Sequence, residues 1–130
     1  LPKSFTTIPQ PTNKPDKKRD ARIEDEIIVD AYDDEEVASG WYHYLQDTLE
    51  FPFRAYVRME NPEQANLLIL VTVLDMADIR FCSVRAIWFR AHVKLSRWYF
   101  YIPASEIMEV EAGKETVQAL ADWKYWIKLK

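Results

Sequence analysis

The apolar positions along this chain change period twice. Val37, Trp41, Tyr44, Leu45 and Thr48 recur at three- and four-residue spacing and make one stripe on a helix. Asp33 stands just ahead of that stripe as its N-cap, and Glu36, three residues on, completes a capping box. Asp34, Glu35 and Glu36 fill the first turn, where the helix dipole favours carboxylates. Gly40 inside the helix costs roughly 1 kcal/mol against alanine, which points to close approach of another element. Pro52, in "FPF", ends the helical region.

After Pro52 the period shortens. Residues 53–57, 67–74, 84–93 and 97–102 are rich in β-branched and aromatic side chains and read as strands. Asn61-Pro62 marks a turn between the first two, and residues 94–96 mark a hairpin turn. In the third strand Ile87, Phe89, Ala91 and Val93 share one face, while Trp88, Arg90, His92 and Lys94 share an exposed one. The helical period returns over residues 114–129, with Val117, Leu120, Trp123, Tyr125, Trp126 and Ile127 apolar. Lys124, Lys128 and Lys130 lie toward its C-terminal end, where the dipole favours cations. Helix, about four short strands, then helix is an α+β order: a small antiparallel sheet or barrel flanked by an N-terminal and a C-terminal helix.

Residues 1–22 are different. Four prolines and little periodic hydrophobicity make this a Pro-rich basic tail ahead of a single domain over 23–130. An ordered tail of this kind lies against its own domain or a partner. "EIIVDAY" reads as a short strand or extended entry. The first residue is Leu, so the numbering starts inside a longer or processed product.

Charge sharpens the picture. Net charge is only −4, but residues 1–22 carry six Lys/Arg against two acids and residues 24–50 carry ten acids against none. Overall acidity argues against a nucleic-acid partner, because phosphate neutralisation supplies most non-specific affinity. The longest apolar run, "LLILVTVL", is strand-length, so nothing spans a membrane. A single cysteine excludes an internal disulfide and fits a reducing, cytoplasmic setting. Two glycines leave no phosphate-binding loop, and zinc spacing is absent. Cys82 with His43 or His92 would make a thiol nucleophile pair, but a lone cysteine among aromatic and β-branched neighbours reads as a small buried hydrophobe. The chain is therefore read as non-enzymatic.

The acids of the first helix turn are explained by capping. Asp47 is not: it sits near the helix C-terminus, the unfavourable end for a carboxylate. Clustered oxygen donors suit a hard divalent cation. No EF-hand fits, since counting from Asp30 places Glu35 where glycine is needed and Trp41 where a bidentate glutamate is needed.

The run "EIIVDAYDDEEVASGWYHYLQDTLEFPFRA" resembles the opening signature of a small calcium-binding family described from cyanobacteria. "ETVQALADWKYWI", residues 115–127, is similar to that family's closing helix. Together they cover about a third of the chain. "IPASEI" resembles a Pro-x-Ser strand end. The resemblance implies a compact α+β fold with an SH3-like sheet, and calcium held by acidic side chains outside any EF-hand. It carries over Asp30, Glu35, Glu36 and Asp47 as metal ligands, with Asp33, Asp34 and Glu50 as neighbours. Asp122 comes from the second motif, against a plainer reading as a helix-surface acid beside Lys124. The chain departs from the pattern at "MADIRFCSVRAIWFR", where Asp78 remains but apolar and basic residues replace acidic character.

Two functions follow. One is a calcium-binding buffer or sensor. The other is a structural or accessory subunit that kept the fold and lost some or all of the cation site. A protein partner would meet it through residues 1–22 and a sheet face bearing Trp88, Arg90, Arg97 and Trp98, residue types enriched at interface hot spots.

Overall fold

Alternation of side chains builds the sheet. The computed structural model describes residues 4–59, 63 and 67–129. Strand β2 (Phe53–Met59) buries Phe53, Ala55 and Val57 and turns Arg54 and Arg58 outward. It pairs antiparallel with β3 (Leu67–Met76), which buries Val71 and Val73 opposite Ala55 and Phe53. β4 (Trp88–His92) buries Phe89 and Ala91, and pairs with both β3 and β5 (Tyr99–Pro103). β6 (Ile107–Val110) returns beside β2, and a short β1 (Thr6–Thr7) pairs with β6. The order is β1-β6-β2-β3-β4-β5, a six-stranded antiparallel sheet with β1 and β5 at its edges.

Two long helices cover the buried face. α2 (Asp34–Thr48) and α3 (Lys114–Leu129) meet through Trp41 and Trp123, ring centroids 5.1 Å apart and nearly perpendicular. Edge-to-face pairing adds about 0.5–1.5 kcal/mol beyond area burial. The expected cap is present: Asp33 Oδ1 accepts from the Glu36 backbone N–H at 2.8 Å. Gly40 has the expected reason too. A Cβ there would lie 2.5 Å from the Ile27 carbonyl oxygen. The hairpin turn also falls where the sequence places it, between β4 and β5, and the C-terminal helix spans the expected residues.

Several elements differ from the sequence reading. Residues 84–87 are not strand, because the chain after β3 first makes a 3-10 turn, Ile79–Phe81, and bends before β4. "EIIVDAY" is neither strand nor extended. Helix α1 (Lys17–Arg22) continues into a π-helical turn, Ile23–Ile27, whose buried Ile23 and Ile27 stand four apart on one face. Asp30, at φ 59°, turns the chain out of it. β6 has no counterpart among the expected strands.

The segment read as a tail packs on the domain. Thr6 and Thr7 pair with Val110 and Glu109, and Ile8 is fully buried. The Tyr125 hydroxyl accepts from the Asp16 N–H and donates to Asp20. The segment thus runs along β6 at Thr6–Ile8 and then over α3 from Pro11 to Arg22 as a strap. The turn expected at Asn61-Pro62, and Lys130, lie outside the described residues.

Candidate metal centre

The acidic residues divide by what their carboxylates touch. Asp33 is engaged as a cap. Asp34 and Glu35, exposed in the first turn of α2, face the turn that follows β3. The Tyr42 hydroxyl fixes the two walls by donating to the Ala77 carbonyl at 2.7 Å. Between them lies a cleft of about 590 Å³ lined by Asp34, Glu35, Ser39, Arg80, Cys82 and Ser83, with Ala38, Ile79 and Val84.

Arg80, on the wall opposite Asp34 and Glu35, is tied to Asp78. Its Nε and Nη2 donate to the two oxygens of Asp78 at 3.1 Å each, and its backbone N–H adds a third bond at 2.9 Å. These hydrogen bonds hold the Asp78 carboxyl below the usual aspartate range. Cys82 accepts from the Trp88 N–H, and burial pushes its thiol up, away from a reactive thiolate. His92 is bound at the far end of β4, its Nε2 2.6 Å from the Ser96 carbonyl oxygen, so it makes no pair with Cys82.

The four carried-over ligands do not gather. Glu36 and Asp47 are on one helix, eleven residues apart, and the rise of about 1.5 Å per residue separates them by roughly 16 Å. That exceeds the reach of two carboxylate arms across one ion. Glu50 stands at the far end as well, its carboxylate against Gly113 at the start of α3. Among the described residues no three His, Cys, Asp or Glu side chains converge to hold a metal. What remains is oxygen-donor chemistry at one end of α2: Asp30, Asp34 and Glu35, with Asp78 already held by an arginine.

Asp122 is not the helix-surface acid of the plainer reading. It is fully buried. Arg22 donates to both its oxygens at 2.8 Å, and Arg19 Nε lies 2.9 Å from Oδ1. It anchors the N-terminal strap. The sequence signal for it is an aspartate set in the largely apolar helical run "ALADWKYW", and in the structure every residue from Ala119 to Tyr125 is buried.

The proposed partner-face residues differ in what they touch. Arg90 donates bidentate to Asp75 and lies over the Tyr99 ring at 4.9 Å. Trp88 lines a hollow of about 310 Å³ with Phe81 and Tyr101. Arg97 and Trp98 stand beyond, at the β4–β5 hairpin.

A small α+β domain with an open acidic helix end and no EF-hand defines a class, and the comparisons place it. The family model for calcium binding of the CcbP type matches residues 21–127, so the chain belongs to that family. The crystal structure of Anabaena CcbP superposes with a TM-score of 0.79 at 36% identity, over 90% of this chain and 94% of that one. A calcium binding protein in its calcium-binding form gives 0.78 at 36%, over 88% and 92%. No curated protein matches.

Proposed function

We propose that this chain is a non-enzymatic calcium-binding protein, a cytoplasmic buffer or sensor. Membership of a calcium-binding family over residues 21–127 carries the reading. The site proposed is the N-terminal end of α2, where Asp34 and Glu35 face the cleft and Asp30 precedes them. Calcium tolerates loose geometry and accepts carboxylates from separate elements. Few donors and an adjacent arginine imply modest affinity, roughly micromolar to millimolar.

Calorimetric titration with Ca²⁺, with Mg²⁺ as control, tests it. Asp34→Asn with Glu35→Gln weakens binding at least about tenfold if two ligands are lost, whereas Asp47→Asn leaves it unchanged. No heat at millimolar Ca²⁺, or equal heat from the double variant, overturns the reading.

A second reading, the accessory subunit with a diminished cation site, rests on Arg80. Its guanidinium already supplies a positive charge beside Asp78 in the cleft. In that case Arg80→Gln acquires a calcium response that the parent chain lacks, and the parent elutes with a partner on sizing. A monomeric parent with its own calcium heat rules this reading out.

A further inference from the structure

The hairpin joining β4 and β5 has a composition that the calcium reading leaves unused. From Ile79 to Ser105 the chain holds no Asp or Glu but has Arg80, Arg85, Arg90, Lys94 and Arg97. Asp78 and Asp75 neutralise Arg80 and Arg90. Lys94 and Arg97 have no carboxylate partner among the described residues. They flank Leu95, 96% exposed, and precede Trp98, 78% exposed.

Leu95 is also in an unfavourable conformation. The Ser96 N–H donates to the Val93 carbonyl at 3.0 Å, closing a turn with Lys94 and Leu95 at its centre. Leu95 has φ 71°, a region that glycine or asparagine occupies at low cost and leucine does not. The turn is braced by Ser96, whose carbonyl meets the His92 ring and whose hydroxyl accepts from the Trp98 N–H. The fold therefore holds a leucine where another residue would suit it better, and gives that side chain no protein contact worth burying.

We propose that this hairpin docks on an anionic membrane surface, with Leu95 and Trp98 in the interface and Lys94 and Arg97 against the headgroups. Three observations select a bilayer. The apex is a turn at the end of two strands, a projection that a planar interface accepts without a groove. Tryptophan is enriched at membrane interfaces, and paired cations complement anionic lipid. The acids of α2 favour the same orientation. The acidic end of α2 faces residues 79–84, which precede β4, while the apex follows β4. At about 3.3 Å per residue, five strand residues put them roughly 17 Å apart, so these acids of α2 lie at the other end of β4 from the apex. Among the described residues no helix is long and apolar enough to cross a bilayer.

Co-sedimentation of the full chain with vesicles of phosphatidylcholine, with or without phosphatidylserine, tests the proposal. Chelator keeps the result independent of the calcium reading. The chain sediments with the phosphatidylserine vesicles and is released by salt. Lys94→Gln with Arg97→Gln weakens partitioning about 25-fold, the loss of two near-surface cations. Leu95→Asn lowers it at least about tenfold, the loss of one inserted leucine, while its thermal midpoint rises or holds because asparagine suits the turn. Failure to sediment with phosphatidylserine vesicles overturns the proposal, as does undiminished sedimentation of Leu95→Asn with Trp98→Ala. Tighter binding to polyglutamate or a single-stranded oligonucleotide than to vesicles also overturns it and assigns the hairpin to a polyanion.

Discussion

Asp122 and Glu35 are both helical carboxylates in a motif shared with a calcium-binding family, and they have opposite physical roles. Asp122 is fully buried between Arg19 and Arg22, while Glu35 is exposed on a cleft with no bonded partner among the described residues. A buried carboxylate must be paired to stay ionised. An exposed one on the first helical turn is tolerated unpaired, because water and the helix dipole stabilise it. Partner and burial, rather than the number of acids in a stretch, decide which carboxylate is free to meet a cation.

The largest expected effect comes from breaking the buried side of that comparison. Asp122→Ala leaves two arginines facing a hollow in α3 and costs about 3–5 kcal/mol. Arg19 and Arg22 keep about a fifth of their side-chain surface exposed and can rehydrate, which favours the lower figure. Chemical denaturation reads the loss, and limited proteolysis reads its location, since cleavage within residues 4–22 rises first if Asp122 holds the strap. Calcium heat per folded molecule stays unchanged. A loss of calcium binding larger than the loss of folded protein would make Asp122 a ligand after all.

A buried cation next to it gives a second, smaller test. Lys124 is only 4% exposed, its Nζ 3.5 Å from the Met108 sulfur. Desolvation pushes its ammonium down to about 8, with Glu106 opposing and Arg58 reinforcing the shift. Below pH 8 the lysine is charged in both states and the folded state carries the full penalty. Between about 8 and 10.5 the unfolded chain binds more protons, so stability rises with pH. The shift corresponds to roughly 3 kcal/mol, and Lys124→Met recovers much of it at neutral pH and flattens the slope above pH 8. Denaturation midpoints at pH 7 and pH 9.5 check this. Equal gains at both would mean that the lysine finds water or a carboxylate in the fold.

The two sides of the comparison also differ in how far the sequence revealed them. The cap at Asp33 and the span of α3 depend on neighbours within a turn or two, and local pattern carries that information; a glycine inside a helix also signals the close approach at Gly40, but not its partner, the Ile27 carbonyl thirteen residues back. The strap does not. Arg19 and Arg22 meet Asp122 across about a hundred residues of chain, and a proline-rich basic stretch reads as a tail unless its tertiary partner is known. The same limit applies to the metal centre. Asp47 stood out because it lies at the wrong helix end, yet helix rise alone keeps it from Glu36. The cleft that Asp34 and Glu35 face is made by a turn after β3, which no spacing within α2 encodes.

The smallest effect separates two adjacent acids. Asp33 and Asp34 are both exposed and both near the proposed site, but among the described residues only Asp33 has a bonded task, accepting from the Glu36 N–H. Asp33→Ala removes a cap and costs about 1 kcal/mol. Asp34→Ala loses only a dipole interaction, about 0.3–1 kcal/mol and screened by salt. Calcium reverses the order: Asp34 faces the cleft, so its removal weakens binding more than removal of Asp33, whose oxygen is already engaged. Paired denaturation and titration curves for the two variants read both rankings. If Asp33→Ala proves the poorer calcium binder at equal folded fraction, the ion sits on the N-cap side, toward Asp30, and the cleft is not its site.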